Sequence, residues 1–181
     1  MKAMIAMLRG VNVGGSHKLP MERLRAICEA LNLTRPQTFI QSGNVVFETK
    51  LKDETALALQ METAIEAEFG FRPSVVLRSA DEMRSVVARN PFSKRADVAP
   101  DRLLVTFLQS DPGEEARGAI RAIPVDPEEL VVDGREIFVY YPNGAGRSKL
   151  PVARIDRAQN VPGTSRNWNS VLKLLALTEA R

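Results

Sequence analysis

Within the first eighty residues the apolar period changes four times between that of a strand and that of a helix, and this order of elements leaves the chain few folds to choose from. Residues 3 to 8, Ala-Met-Ile-Ala-Met-Leu, predict a strand. Pro20 then opens a helix in which Leu24, Ile27, Cys28 and Leu31 recur at i, i+3, i+4 and i+7. The runs QTFIQ and NVVFE flank Ser42-Gly43, a turn pair in which glycine allows the positive φ of a tight hairpin. A second helix over residues 53–69 carries Leu57, Met61, Ala64 and Ile65 and stops at Gly70, and PSVVLR returns as a strand.

The resulting β-α-β-β-α-β order predicts an α+β fold on the ferredoxin-like plan, with two helices on one face of a four-stranded antiparallel sheet. This plan brings the loop after the first strand to the same end as the hairpin turn. Arg9, Asn12, Gly14 and Gly15 of LRGVNVGGSHKLP therefore meet Gln41, Ser42 and Asn44. The meeting point is near the first helix's N-terminus, where unpaired N–H groups favour an anion. The same residue types also serve simply to turn the chain.

A boundary fits near residue 79, giving a first subdomain over 1–78 and a second over 79–181. Ser79-Ala-Asp-Glu82 reads as a capping box opening a helix, and NPFSKRADVAPD as a connecting loop. RLLVTFLQ is a strand, residues 113–122 a helix, and ELVVDGREIFVYY a hairpin turning at Asp133-Gly134. A closing helix from about Arg166 places Trp168, Val171, Leu172 and Leu175 at helical spacing, with Trp168 as a core anchor. The expectation is a second, less complete α+β subdomain. Its two polar stretches parallel those of the first. YYPNGAGRSKLP ends in Arg147, Ser148 and Lys149, groups suited to a phosphate, although its spacing is not that of a P-loop. GTSRNWNS places Arg166 and Asn167 in the expected first helical turn, where an arginine is unfavourable unless an anion or carboxylate offsets it.

At 181 residues and 44% hydrophobic, the chain can bury one core or two small ones. The run Ala3 to Leu8 is shorter than a signal-peptide core, and no stretch approaches the roughly 18 apolar residues of a membrane span. A cytoplasmic protein without membrane partners is expected. One cysteine and one histidine exclude a disulfide framework and a Cys/His zinc site, and Cys28 falls among core positions. Residues 1–50 hold 7 Lys+Arg against 3 Asp+Glu, residues 151–181 hold 5 against 2, and residues 51–150 hold 13 against 17. The basic charge therefore lies at the two ends of the chain. No Ser/His/Asp set or metal cluster points to a reaction or a cofactor. Ser148 and Lys149, adjacent on an extended segment, point to opposite sides and make a poor dyad.

LRGVNVGGSHKLPMERL, TFIQSGNVVFE, YYPNGAGRSKL and TSRNWNSVLKLL, in this order and spacing, resemble the family catalogued as domain of unknown function 1697 over essentially the whole chain. The resemblance implies an α+β fold and no established activity, substrate or catalytic residue. His17 departs from the asparagine or other polar residue more usual there, and Ser170 from threonine.

Three functional readings are open. The first is a module binding a small anionic ligand, such as one bearing phosphate, through Arg9, Asn12, Gly14, Gly15, Gln41, Ser42 and Asn44. Across the subdomain junction it would use Arg147, Ser148, Lys149, Arg166 and Asn167. The second is nucleic-acid binding through the basic N- and C-terminal regions. Backbone contact would carry it, because AMIAML has no aromatic residue and SGNVVFE has one. The third is an assembly protein without a ligand, whose doubly apolar first strand needs cover from the second subdomain or from another copy in a homo-oligomer.

Overall fold

The continuous apolar run at the start of the chain marks a central strand, since only a strand covered on both faces dispenses with polar alternation. In the computed structural model, which describes residues 1–181, β1 (Lys2–Leu8) lies between β3 (Asn44–Thr49) and β4 (Val75–Ser79), with β2 (Thr34–Thr38) on the edge. All three pairings are antiparallel. Met4, Ala6 and Leu8 join Val45, Phe47, Val75 and Leu77 in one core beneath α1 (Met21–Ala30) and α2 (Glu54–Phe69). The helices contribute Leu24, Ile27 and Cys28, and Leu57, Met61 and Ile65. Asp53 caps α2 by accepting from the Ala56 amide at 2.9 Å, and Gly70 ends it in the left-handed conformation.

The edge strand begins and ends earlier than the sequence predicts, at Thr34–Thr38 rather than over QTFIQ. Ile40 has a positive φ of 52°, which takes the chain out of extended geometry before the turn, and the pairing shifts register between Thr34 and Gln37.

A second sheet repeats the first in strand order. It contains β5 (Leu103–Leu108), β6 (Glu129–Asp133), β7 (Glu136–Tyr140) and β8 (Gly163–Asn167), arranged β6-β7-β5-β8. With α4 (Gly113–Arg121) and α5 (Val152–Gln159) it carries a core of Leu108, Ile120, Ile123, Ile137, Val139, Leu150 and Ile155. Two of these elements correct the sequence reading. Residues 152–159 form α5, and Gly163–Asn167 form β8, so the closing helix α6 (Trp168–Glu179) starts two residues after Arg166.

The chain divides into two units, Met1–Arg84 with Lys173–Arg181 and Ser85–Leu172, so the divisions fall inside α3 (Ala80–Ala88) and α6. The capping box forms as read: Glu82 N donates to Ser79 Oγ at 3.2 Å and Ser79 N to Glu82 Oε2 at 2.7 Å. No helix is long and apolar enough to cross a membrane.

Candidate functional site

In the first unit the loop after β1 and the β2–β3 turn are bonded together. Leu8 N donates to Gly43 O at 2.8 Å, and Asn12 Nδ2 donates to Gln41 O at 2.7 Å. Asn12 also donates to Leu19 O and accepts from Leu19 N, so both ends of its amide serve the loop's own backbone. Its φ of 54° lies in the left-handed region that asparagine tolerates. The buried Asn44 acts in the same way across the turn, donating to Phe39 O and Ser42 Oγ. Gly43 closes the lock: at φ +78°, an added Cβ would lie 2.4 Å from Val11 Cγ2 and 3.0 Å from Leu8 Cβ. Asn12, Ser42 and Asn44, read from sequence as ligand groups, thus have structural work that employs their polar atoms. Gln41 contributes its carbonyl, and Gly14 and Gly15 turn the exposed loop tip at φ 56° and 78°.

Arg9 stands apart from this lock, in a pocket of about 290 Å³ lined also by Gly10, His17, Phe71, Arg72, Pro73 and Ser74. Two segments distant in sequence meet here because β4 lies antiparallel to β1, pairing Val75 with Leu8, so the residues just before β4 lie beside those just after β1. Arg9 N donates to Ser74 O at 3.0 Å and holds the two segments together. The His17 ring stacks on Phe71 with centroids 4.6 Å apart. Its Nδ1 lies 3.1 Å from Gly10 O. A carbonyl only accepts, so Nδ1 carries the hydrogen and Nε2 is the nitrogen left for a ligand. Arg72 reaches Glu62 and Glu66 at 3.3 to 3.4 Å, the long end of ion-pair geometry. Arg72 and Phe71 escape a reading of the sequence because only strand pairing brings FGFRP beside LRGVN. His17 stands out in the sequence only as a departure from the family.

The candidates in the second unit do not share one environment. Arg166, expected in an exposed first helical turn, instead lies in β8 opposite Val105 and is 6% exposed. Its Nη1 donates to Thr164 Oγ1 at 2.7 Å and to Ser165 O at 2.8 Å, and burial pulls the guanidinium down to about 10. Asn167 caps α6, its Oδ1 accepting from Ser170 N at 2.9 Å. Ser148 Oγ donates to Glu128 and accepts from Leu150 N, whereas Arg147 and Lys149 on either side are exposed. No group of three His, Cys, Asp or Glu side chains is placed to hold a metal ion.

A family model described as a protein of unknown function (DUF1697) matches residues 1–138. The chain belongs to the DUF1697 family. That match takes in the whole loop lock and all of the Arg9 pocket. A comparison with curated proteins finds no match. Among solved structures, this DUF1697 member is similar to a conserved bacterial protein from Streptococcus pneumoniae, with 21% identity, a TM-score of 0.81 and 99% of each chain covered. At that identity the likeness shows a shared fold.

Proposed function

We propose that the first unit binds a small anion, a phosphate or carboxylate group, in the pocket of Arg9, His17 and Arg72. The observation that carries this reading is that Arg9, His17 and Arg72, from two chain segments, line one concavity. Size narrows the ligand. At about 290 Å³ the pocket lies at the bottom of the range for small-molecule sites, so it suits an anionic group or a ligand not much larger. The two guanidiniums supply forked donors that match carboxylate or phosphate oxygens, and a His17 ring carrying hydrogens on both nitrogens adds a third donor through Nε2 while Nδ1 stays on Gly10 O. Anion binding would compete for Arg72 with its long contacts to the exposed Glu66 and the mostly buried Glu62, which keeps its bond from the Val75 amide.

The test is thermal melting of the full chain with inorganic phosphate against sodium chloride of equal ionic strength. Ligand that binds only the folded state raises the melting temperature, by an amount set by its concentration over Kd. The shift should be present in the parent, reduced in His17→Asn and absent from Arg9→Gln/Arg72→Gln. A shift equal to that in chloride, or one retained in the double variant, rejects the reading.

A further inference from the structure

Four cations on the second unit fall within eleven residues of chain: Arg147, Lys149, Arg154 and Arg157, with Asp156 as the one acidic residue among them. All four are exposed, and none makes a salt bridge. Elsewhere in this unit the pattern is the reverse. Arg89 pairs with Asp133 and Glu136, Arg95 with Asp97 and Glu129, Arg117 with Asp111 and Glu114, and Arg121 with Glu114. Arg102, exposed but bonded only to the Pro142 carbonyl, is an isolated exception, whereas the stretch from Arg147 to Arg157 gathers four uncompensated cations.

The backbone turns all four charges outward. Ser148 turns its hydroxyl to Glu128, while Arg147, which ends a 3-10 turn over Ala145–Arg147, and Lys149 are exposed on either side of it. In α5 the buried side is Ile155 and Gln159, four residues apart. Arg154 and Arg157, three residues apart, are neighbours on the exposed side, whereas Asp156 lies toward the opposite flank. Two like charges at this spacing repel and lower helix stability, a cost that intramolecular carboxylates do not relieve here.

From this arrangement we propose that the outward face of residues 147–157 binds the phosphate backbone of a nucleic-acid duplex. Charges spread over an exposed stretch of eleven residues suit a regularly spaced polyanion, whereas a single phosphate would meet only one or two of them. This stretch has no base-stacking platform. It contains no aromatic residue, and the nearest ones before it, Tyr140 and Tyr141, are buried. Contact is therefore with the backbone and independent of sequence, rather than with splayed single-stranded bases. This inference uses none of the residues of the Arg9 pocket.

The experiment is fluorescence anisotropy of a labelled 20-base-pair duplex titrated with the full chain between 50 and 200 mM salt. With up to four phosphates neutralised, log K should fall against log salt with a slope of about −3 to −4. Arg147→Gln/Lys149→Gln/Arg154→Gln/Arg157→Gln should weaken binding at least tenfold at the lowest salt and flatten the slope. Lys50→Gln/Lys52→Gln should leave both unchanged. Should the quadruple variant fail to fold, the pairs Arg147→Gln/Lys149→Gln and Arg154→Gln/Arg157→Gln each carry the test, each reducing the slope by about 2. Binding that is insensitive to these substitutions overturns the proposal. So does a preference for the matching single strand, for polyglutamate, or for phosphatidylserine vesicles over the duplex.

Discussion

Arg78 and Arg166 occupy the same register position in the two sheets. Arg78 on β4 lies opposite Ile5 of β1, and Arg166 on β8 lies opposite Val105 of β5. Each strand is the fourth of its sheet in chain order and each arginine is buried, at 1% and 6% exposure. Each also bonds the carbonyl of the residue before it, Leu77 and Ser165, at 2.8 Å. Arginines are seldom fully buried, so two at equivalent positions mark a shared structural requirement of the fold.

Arg166 is accordingly expected to act as a strut rather than as a ligand contact. Arg166→Ala removes the packed stem and leaves Thr164 Oγ1 and Ser165 O without their donor, and should cost about 2 to 4 kcal/mol in urea unfolding. Arg166→Met retains the stem and removes a charge that burial disfavours, so it should cost less. Neither change should alter the phosphate-dependent melting shift. A phosphate shift lost in Arg166→Met would return this residue to the ligand site.

The loop lock makes a sharp distinction among glycines. Gly43→Ala combines a left-handed φ with contact at 2.4 Å to Val11 Cγ2 and should lower stability by about 2 to 4 kcal/mol. Gly14→Ala has a similar φ of +56° but meets nothing within 4 Å, so its cost should be about 1 kcal/mol. Equal losses in chemical denaturation would show that backbone conformation alone, and not the seating of the hairpin turn on β1, makes Gly43 necessary.

Cys28 gives a pH-dependent signature. Burial pushes its thiol from the ordinary 9.0 up to about 12. Between these values the folded state holds a proton that the unfolded state has lost. This stabilisation is therefore complete below pH 9 and disappears as pH rises toward 12. Cys28→Ala should show a shallower alkaline loss of stability than the parent, by up to about 1.4 kcal/mol per pH unit. In the native parent the thiol should also resist aromatic disulfide reagents until the chain unfolds. Rapid labelling at neutral pH, or alkaline curves of equal slope, would contradict this burial.

The sequence by itself determined most of the first unit. Helical spacing placed Leu24, Ile27 and Cys28 in the core, glycine chemistry ended α2, and the unbroken apolar run made β1 central. It even brought Asn12 beside Gln41, because short connections between antiparallel neighbours leave no other end for these loops to occupy. These are consequences of local period and chain connectivity, which a linear text contains. The use of those loops was decided elsewhere. Whether an asparagine amide faces a ligand or its own backbone depends on which carbonyls lie within 3 Å, and only the folded loop supplies Leu19 and Gln41. Arg72 reached the Arg9 pocket through pairing of β1 with β4. Gly-Thr-Ser-Arg-Asn, polar at nearly every position, became β8 because a strand needs only backbone donors and acceptors, and β5 presented them. That pairing, invisible in side-chain hydropathy, carried Arg166 from an expected helix start into the buried face of a sheet.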